Sequence, residues 1–182
     1  MKDLVVLHGG SLNGVIGIPG DKSISHRAVM FGAIADGLTQ VRGCLMGEDV
    51  LATIEAFRSM GVEIDTRDQD CMKISGVGLL GLRSPTSSIN LGNSGTSMRL
   101  LAGILSGANI DITLEGDASL SVRPMGRIVC PLRQMGANIE MSGNKTPPLR
   151  VKPARKLTGI SYLVPVISAQ VKSGLLLAGL YA

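Results

Sequence analysis

The chain has 182 residues, enough for one ordinary domain with a sizeable core, and 45% of them are hydrophobic. Its net charge of +4 comes from dispersed Lys and Arg, and with aromatics at 2% and no Trp it lacks the basic stripe and stacking rings that nucleic acid requires. Small acidic ligands fit that balance better. Three cysteines, Cys44, Cys71 and Cys130, make no C-x-x-C and have no neighbouring His. Neither a disulfide framework nor a metal site is expected, and a reducing cytoplasm is the simplest compartment. The start, Met1-Lys2-Asp3-Leu4, opens no apolar run of signal-peptide type, and the last apolar run, 174–182, is too short to span a bilayer. That run reads as a core helix that the chain ends within, as a truncated chain would.

In chain order, β-branched patterning predicts strands over 4–7 and 15–18. Pro19-Gly20 then turns into a helix over 23–35, with Ser23 as a natural N-cap, and Asp36-Gly37 ends it. A strand over 39–43 leads to a second helix, opened by Glu48 and Asp49, with Val50, Leu51, Ile54 and Phe57 on its apolar face and Met60-Gly61 at its end. Strands over 62–66 and 71–75 flank the polar turn Arg67-Asp68-Gln69-Asp70. The same order follows again: a strand over 89–91, a helix over 94–105, a strand over 110–114, a helix over 124–135 with Pro at its first position, and strands over 137–141 and 149–151. A third round begins with a strand over 160–164 and a helix from Ser168.

Three echoes support this periodic reading. Gly92-Asn93-Ser94-Gly95-Thr96-Ser97-Met98-Arg99 follows Gly20-Asp21-Lys22-Ser23-Ile24-Ser25-His26-Arg27 by 72 residues, each with Arg seven places after Gly. Met135-Gly136-Ala137-Asn138-Ile139 follows Met60-Gly61-Val62-Glu63-Ile64 by 75, and Leu-Leu-Ala-Gly recurs at 176–179, 76 residues after 100–103. Chance similarity among apolar helices explains the last echo alone but not three in the same order.

The repeated turns also point to a ligand. A helix N-terminus offers free N–H groups and the positive end of its dipole, which favour an anion. Lys22 and Arg27 add two cations that ordinary capping does not need; the plainer reading is a capped surface helix with two solvated charges. Arg99 stands at the equivalent place in the second round, and Arg123 precedes a helix start within Gly116-Asp117-Ala118-Ser119-Leu120-Ser121-Val122-Arg123-Pro124. Four cations around one cleft suit a substrate with two anionic groups, such as a phosphate and a carboxylate, which Arg grips in bidentate fashion.

Four motifs taken together carry a resemblance: Pro19-Gly20-Asp21-Lys22-Ser23-Ile24-Ser25-His26-Arg27, Gly92-Asn93-Ser94-Gly95-Thr96, Arg123-Pro124-Met125 and Ser168-Ala169-Gln170-Val171-Lys172-Ser173. In that order they resemble the 5-enolpyruvylshikimate-3-phosphate (EPSP) synthase family, from about Val15 to the last residue. The resemblance implies an inverted, inside-out α/β lobe built from β-α-β-α-β-β units, with helices inside, sheets outside and the third unit incomplete. It implies transfer of the enolpyruvyl group of phosphoenolpyruvate to the 5-hydroxyl of shikimate 3-phosphate, in the cytoplasm, without metal or organic cofactor and without nucleic acid or membrane as partner.

Carried over residue by residue, Lys22 touches both substrates and serves catalysis. Ser23, Arg27, Ser168 and Gln170 hold shikimate 3-phosphate, and Gly95, Arg123 and Gln170 hold phosphoenolpyruvate, with Gly95 leaving room for that ligand and for glyphosate. Plain N-capping is the alternative for Ser168 and Gln170, and Ala169 stands where many relatives have a second Ser. Family members are more than twice as long, so the resemblance implies a missing carboxy-terminal lobe, against which residues 1–20 pack, while 21–182 form the amino-terminal lobe. The chain alone is then expected to be inactive and to expose Leu175, Leu176, Leu177 and Leu180. Two other readings stand beside this one. The sister transferase acting on UDP-N-acetylglucosamine usually has Asn after the first-turn Lys and a Cys before its Arg-Pro, where this chain has Ser23 and the Cys-free run 116–122. A non-catalytic anion-binding lobe would carry the same turns without turnover.

Overall fold

Asp21, not Ser23, caps the first helix. The computed structural model describes residues 4–68 and 70–182, so Met1–Asp3 and Gln69 of the expected polar turn lie outside the described residues. Helix α1 (Lys22–Ile34) opens with Asp21 extended and its carboxylate accepting the Ile24 N–H at 2.8 Å. Both residues suit that position by type, but the tighter turn puts Ser23 inside the helix, one residue past its start. Ser25 then fixes the entry, donating to the Asp21 carbonyl at 2.8 Å and accepting the Leu45 N–H at 2.9 Å.

Strand β1 (Asp36–Arg42), helix α2 (Glu48–Ser59) and strands β2 (Glu63–Asp65) and β3 (Cys71–Val77) follow, all near their expected places. The three strands form an antiparallel sheet in the order β1-β3-β2, with Leu38 opposite Ser75 and Ile64 opposite Ile74. Val50, Ile54 and Phe57 of α2 are fully buried, whereas Leu51, expected beside them, is 39% exposed. The second sheet takes β4 (Ile89–Asn90), β5 (Ile112–Glu115), β6 (Asn138–Met141) and β7 (Leu149–Lys152) in the order β4-β5-β7-β6, antiparallel except for β4 with β5.

The helices of the second half depart further from expectation. α3 (Gly95–Leu105) starts one residue after the expected Ser94, which serves as its cap. A four-residue helix, α4 (Ala118–Ser121), then stands on Asp117, whose carboxylate accepts the Leu120 N–H at 2.8 Å. Pro124 therefore lies between helices rather than opening one; α5 (Gly126–Gln134) starts two residues later and contains Pro131.

The ends of α2 and α5 are built alike. Gly61 and Gly136 have φ of 90° and 100°, a conformation that costs Gly little. The Val62 N–H reaches the Phe57 carbonyl and the Gly61 N–H the Arg58 carbonyl, both at 3.0 Å, and Ala137 with Leu132 and Gly136 with Arg133 repeat the pair at 3.0 Å. This paired closure satisfies the last helical carbonyls. Arg58 Nε donates to the Ile64 carbonyl at 3.1 Å, as Arg133 Nε does to that of Ile139 at 2.8 Å.

Nine of the eleven residues of α3 are buried. It lies against α2, α5 and the last helix, α6 (Ala169–Gly179). The crossing with α6 is close enough that a Cβ on Gly103 would run into the Gly174 carbonyl oxygen, and one on Gly174 would stand 2.8 Å from the Arg99 carbonyl oxygen. In α6 Leu176 is 66% exposed, and Leu180, its C-cap, is 47% exposed; Leu175 is partly covered, but Leu177, expected in the open, is buried beneath this crossing.

No strand forms over 4–7, 15–18 or 160–164. The sequence pattern is right for strands, but a strand exists only with a neighbour to take its hydrogen bonds, and none of these segments has one. Leu4, Val5, Val6, Leu7, Val15, Ile16 and Ile18 are all at least 75% exposed. No helix among the described residues is long and apolar enough to cross a membrane.

Candidate active site

The first turn of α1 carries Lys22 and Ser23 on its open side. Lys22, half-exposed, pairs its ammonium with the carboxylate of Asp49 in the first turn of α2. Ser23 is exposed, and its carbonyl accepts one N–H of the Arg27 guanidinium at 3.0 Å. The other arm of Arg27 donates to Ser173 Oγ of α6 at 2.8 Å. Asp49 and Ser173 were legible only as a helix opener and as the tail of a motif, because contact between separate helices leaves no local signal.

The second turn is built around Gly95. Ser94 caps α3 by accepting the Ser97 N–H at 3.2 Å, so Gly95 is the first helical residue. A Cβ there would lie 2.6 Å from one terminal nitrogen of Arg99 and 3.2 Å from one of Arg123. The missing side chain is what lets two guanidinium groups approach this backbone. Arg99 donates to the Gly95 carbonyl at 3.1 Å, to Gln170 Oε1 at 3.0 Å and to the Pro124 carbonyl at 3.2 Å. Gln170 closes the ring, its amide N–H donating to Thr96 Oγ1 at 2.9 Å. Arg123 is steadied by Ser119 Oγ, to which it donates at 3.0 Å.

Helix α6 joins the two turns. Ser168 caps it, accepting the Val171 N–H at 3.3 Å, and Ala169 follows on the exposed side. Gln170 and Ser173, three residues apart and therefore on one face, reach the α3 turn and Arg27 respectively. Of the residues singled out from the sequence, Gly95, Arg123 and Gln170 thus meet around Arg99, while Arg27 is tied to the same helix face one turn further on. The sequence counts Arg99 among the cations but assigns it no ligand; its place seven residues after Gly92, as Arg27 follows Gly20, is the signal that marks it.

Among the described residues, none of Arg27, Arg99, Arg123 and Arg127 has a carboxylate within ion-pair distance. The Arg99 guanidinium is held below its ordinary pKa, first by burial and then by the charges of Arg123 and Arg127. Like charges gathered without counter-charge make a receptor for an anion. No group of three His, Cys, Asp or Glu side chains that could hold a metal ion occurs among the described residues.

Comparison with known proteins gives the arrangement its context. Residues 6–182 match the family model described as EPSP synthase (3-phosphoshikimate 1-carboxyvinyltransferase). The 3-phosphoshikimate 1-carboxyvinyltransferase of Nitrosococcus oceani is 56% identical over 98% of this chain and 40% of its own length; that of Methylococcus capsulatus is 58% identical over all of this chain and 42% of its own. The solved EPSP synthase of Acinetobacter baumannii superposes with a TM-score of 0.90 at 56% identity, over 93% of this chain and 38% of that one. The chain therefore spans about 40% of the length of the curated relatives it matches. Matched by the family model from residue 6 to residue 182, this mixed α/β chain belongs to the EPSP synthase family.

Proposed function

We propose that this chain supplies one face of the site of an enolpyruvyl transferase acting on phosphoenolpyruvate and shikimate 3-phosphate. In that reaction a C–O bond forms at the 5-hydroxyl oxygen, the C–O bond to phosphate breaks, and the hydroxyl proton leaves with inorganic phosphate. The observation that carries this reading is the group Arg99, Arg123 and Arg127, like charges with no carboxylate partner beside a glycine that leaves the space open.

In this reading Arg123, the Gly95 backbone and Gln170 take phosphoenolpyruvate. Ser23, Arg27, Ser168 and Gln170 take shikimate 3-phosphate, and Lys22 touches both while stabilising charge as the bond changes hands. The Lys22–Asp49 pair holds the ammonium aimed until a phosphate or carboxylate competes for it. Arg99 belongs with this set, since its three hydrogen bonds hold Gln170, the Gly95 carbonyl and the Arg123-Pro124 segment together. Ala169 brings no hydroxyl, which leaves only its backbone for the shikimate phosphate.

The matching closures of α2 and α5 and the antiparallel order shared by β1-β3-β2 and β5-β7-β6 support the inverted, repeated-unit architecture. The apolar, unpaired segment before residue 20 supports a second lobe as its packing partner, with residues 21–182 as the amino-terminal lobe of a cytoplasmic, two-lobed protein.

Calorimetric titration and phosphate-release assays test this. The chain should bind shikimate 3-phosphate weakly and lose that binding in Arg27→Ala. It should turn over only when joined to the remainder of a relative, because positioning between two faces is worth roughly 7–11 kcal/mol of a barrier. A chain that binds no shikimate 3-phosphate, and shows no transfer when completed, is an anion-binding lobe without this activity.

A further inference from the structure

Behind the two turns lies a buried chain of polar side chains. His26 of α1 and Thr53 of α2 are fully buried, as is Ser97 of α3, and Ser94 is 1% exposed. His26 Nδ1 lies 2.9 Å from Thr53 Oγ1, Thr53 Oγ1 2.8 Å from Ser97 Oγ, and Ser97 Oγ 2.6 Å from Ser94 Oγ. Thr53 Oγ1 also lies 3.2 Å from the Asp49 carbonyl oxygen.

Counting protons orders this chain in one way. The Asp49 carbonyl can only accept, so the single Thr53 hydroxyl proton goes there. The contacts from His26 and Ser97 to Thr53 must then use their own protons, and the contact from Ser94 to Ser97 uses the proton of Ser94. Each hydroxyl donates once, and His26 must carry its proton on Nδ1. Its Nε2 is left as a bare lone pair, and that atom is buried with no hydrogen-bond partner. A Phe of similar bulk would avoid burying an unsatisfied acceptor, so what the imidazole supplies here is its Nδ1–H. Burial holds the ring below its ordinary pKa, with Lys22 and Arg27 of α1 acting in the same sense and Asp49 of α2 against it.

The ends of the chain are placed tellingly. His26 sits one helical turn after Lys22 and beside Arg27. Asp49, whose carbonyl takes the last proton, is the residue whose carboxylate pairs with Lys22. Ser94 is the cap that immediately precedes Gly95. Resting on the site reading given above, we propose that His26, as its Nδ1–H tautomer, is a positioning residue. Through Thr53, Ser97 and Ser94 it sets the offset between the turn of Lys22, Ser23 and Arg27 and the turn of Gly95, Arg99 and Arg123. It thereby sets the separation of the two anionic groups that the site accepts.

Long-range 15N–1H NMR of the 182-residue chain reads the tautomer directly: Nδ1 protonated and Nε2 bare is the expected result, and a proton on Nε2 overturns the proposal. Two variants test the positioning. His26→Asn keeps an amide N–H close to the place of Nδ1, and His26→Phe keeps bulk without a donor. The backbone amide resonances of Ser94, Gly95 and Thr96, on another helix, should move in His26→Phe and return in His26→Asn. No movement in His26→Phe, or equal movement in both variants, overturns it. Should His26→Phe not fold, Ser97→Ala cuts the same chain from its far side and must shift the His26 ring nitrogens; unshifted nitrogens overturn the proposal. Affinity for shikimate 3-phosphate should fall about tenfold in His26→Phe and less than about threefold in His26→Asn, as loss of one oriented donor allows. If the unmodified chain binds no shikimate 3-phosphate, the site reading fails, while the tautomer and amide measurements still decide whether His26 orders the turns.

Discussion

Gly95→Ala separates what the fold needs from what the site needs. The new Cβ would stand 2.6 Å from an Arg99 terminal nitrogen, and that nitrogen must retreat by about 0.8–1 Å to reach ordinary contact. Its bonds to Gln170 and to the Gly95 carbonyl, now 3.0 and 3.1 Å, would then lengthen past hydrogen-bonding range. Hydrogen bonds to a charged group contribute about 1.5–3 kcal/mol each, but Arg99 is only partly buried and rehydrates, so about 1–2 kcal/mol of site organisation is lost. Ala in place of Gly at a helical position returns up to about 1 kcal/mol of helix stability. Thermal unfolding should therefore change little while the anion grip weakens by roughly tenfold. In an enzyme completed by the rest of a relative, the KM for phosphoenolpyruvate should rise and glyphosate tolerance should appear, the unmodified enzyme being sensitive. A variant with unchanged KM and unchanged glyphosate sensitivity would refute the reasoning, as would an unmodified enzyme insensitive to glyphosate.

Gly103→Ala should act on the fold instead: its Cβ meets the Gly174 backbone, which cannot swing aside, so overpacking should cost about 1–3 kcal/mol and lower the melting temperature by several degrees. Lys22→Ala in a completed enzyme should abolish turnover and weaken both substrates, whereas Arg27→Ala should chiefly weaken shikimate 3-phosphate; calorimetry showing equal losses for both ligands in Arg27→Ala would contradict the assignment. The lowered pKa of His26 means that the unfolded chain binds its proton more readily, so stability is full above about pH 6.5 and is lost as pH falls from there towards the folded value, by at most about 1.4 kcal/mol per pH unit. Denaturant titrations of the unmodified chain and of His26→Asn between pH 5 and 8 check this: the two curves should run parallel above pH 7, and their difference should change only as pH falls below about 6.5.

What could be read from the sequence was whatever is decided locally. Helix α2 was legible because Glu48 and Asp49 open it, Val50, Ile54 and Phe57 recur on one face, and Gly61 closes it. The echo of Met60-Gly61 in Met135-Gly136 marked the same closure twice. Competition between two good caps two residues apart was not legible: Ser23 and Asp21 are equivalent by type, and the hydrogen bond from the Leu45 N–H to Ser25 Oγ, which favours the entry through Asp21, joins residues 20 positions apart. The α4 turn hid because four residues carry no periodicity. The strands over 4–7, 15–18 and 160–164 failed for a different reason, since patterning reports compatibility with a sheet and not the presence of a neighbour. At the site, repeated Gly-to-Arg spacing found the two turns, but their connection through Gln170 and Ser173 joins residues 71 and 146 positions apart in the chain.

The unpaired arginines have a consequence that needs no knowledge of the substrate. Arg99 bears the repulsion of Arg123 and Arg127 on top of its burial, so the folded state carries an electrostatic cost that the unfolded chain, with its charges dispersed in water, does not. A bound dianion removes that cost and therefore stabilises the native chain by linkage. Inorganic phosphate at one hundred times its dissociation constant should add about 2.7 kcal/mol, which for a chain of this size raises the melting temperature by roughly 5–10 °C. Simple screening works in the same direction, because salt also weakens the repulsion. Chloride at matched ionic strength measures that part alone, and the excess of phosphate over chloride is the site-specific part. Arg123→Ala should melt higher than the unmodified chain in the absence of phosphate, having lost one repelling charge, and should lose most of the phosphate excess. An equal excess in the unmodified chain and in Arg123→Ala would show that phosphate is held elsewhere and would remove the guanidinium cluster from the site.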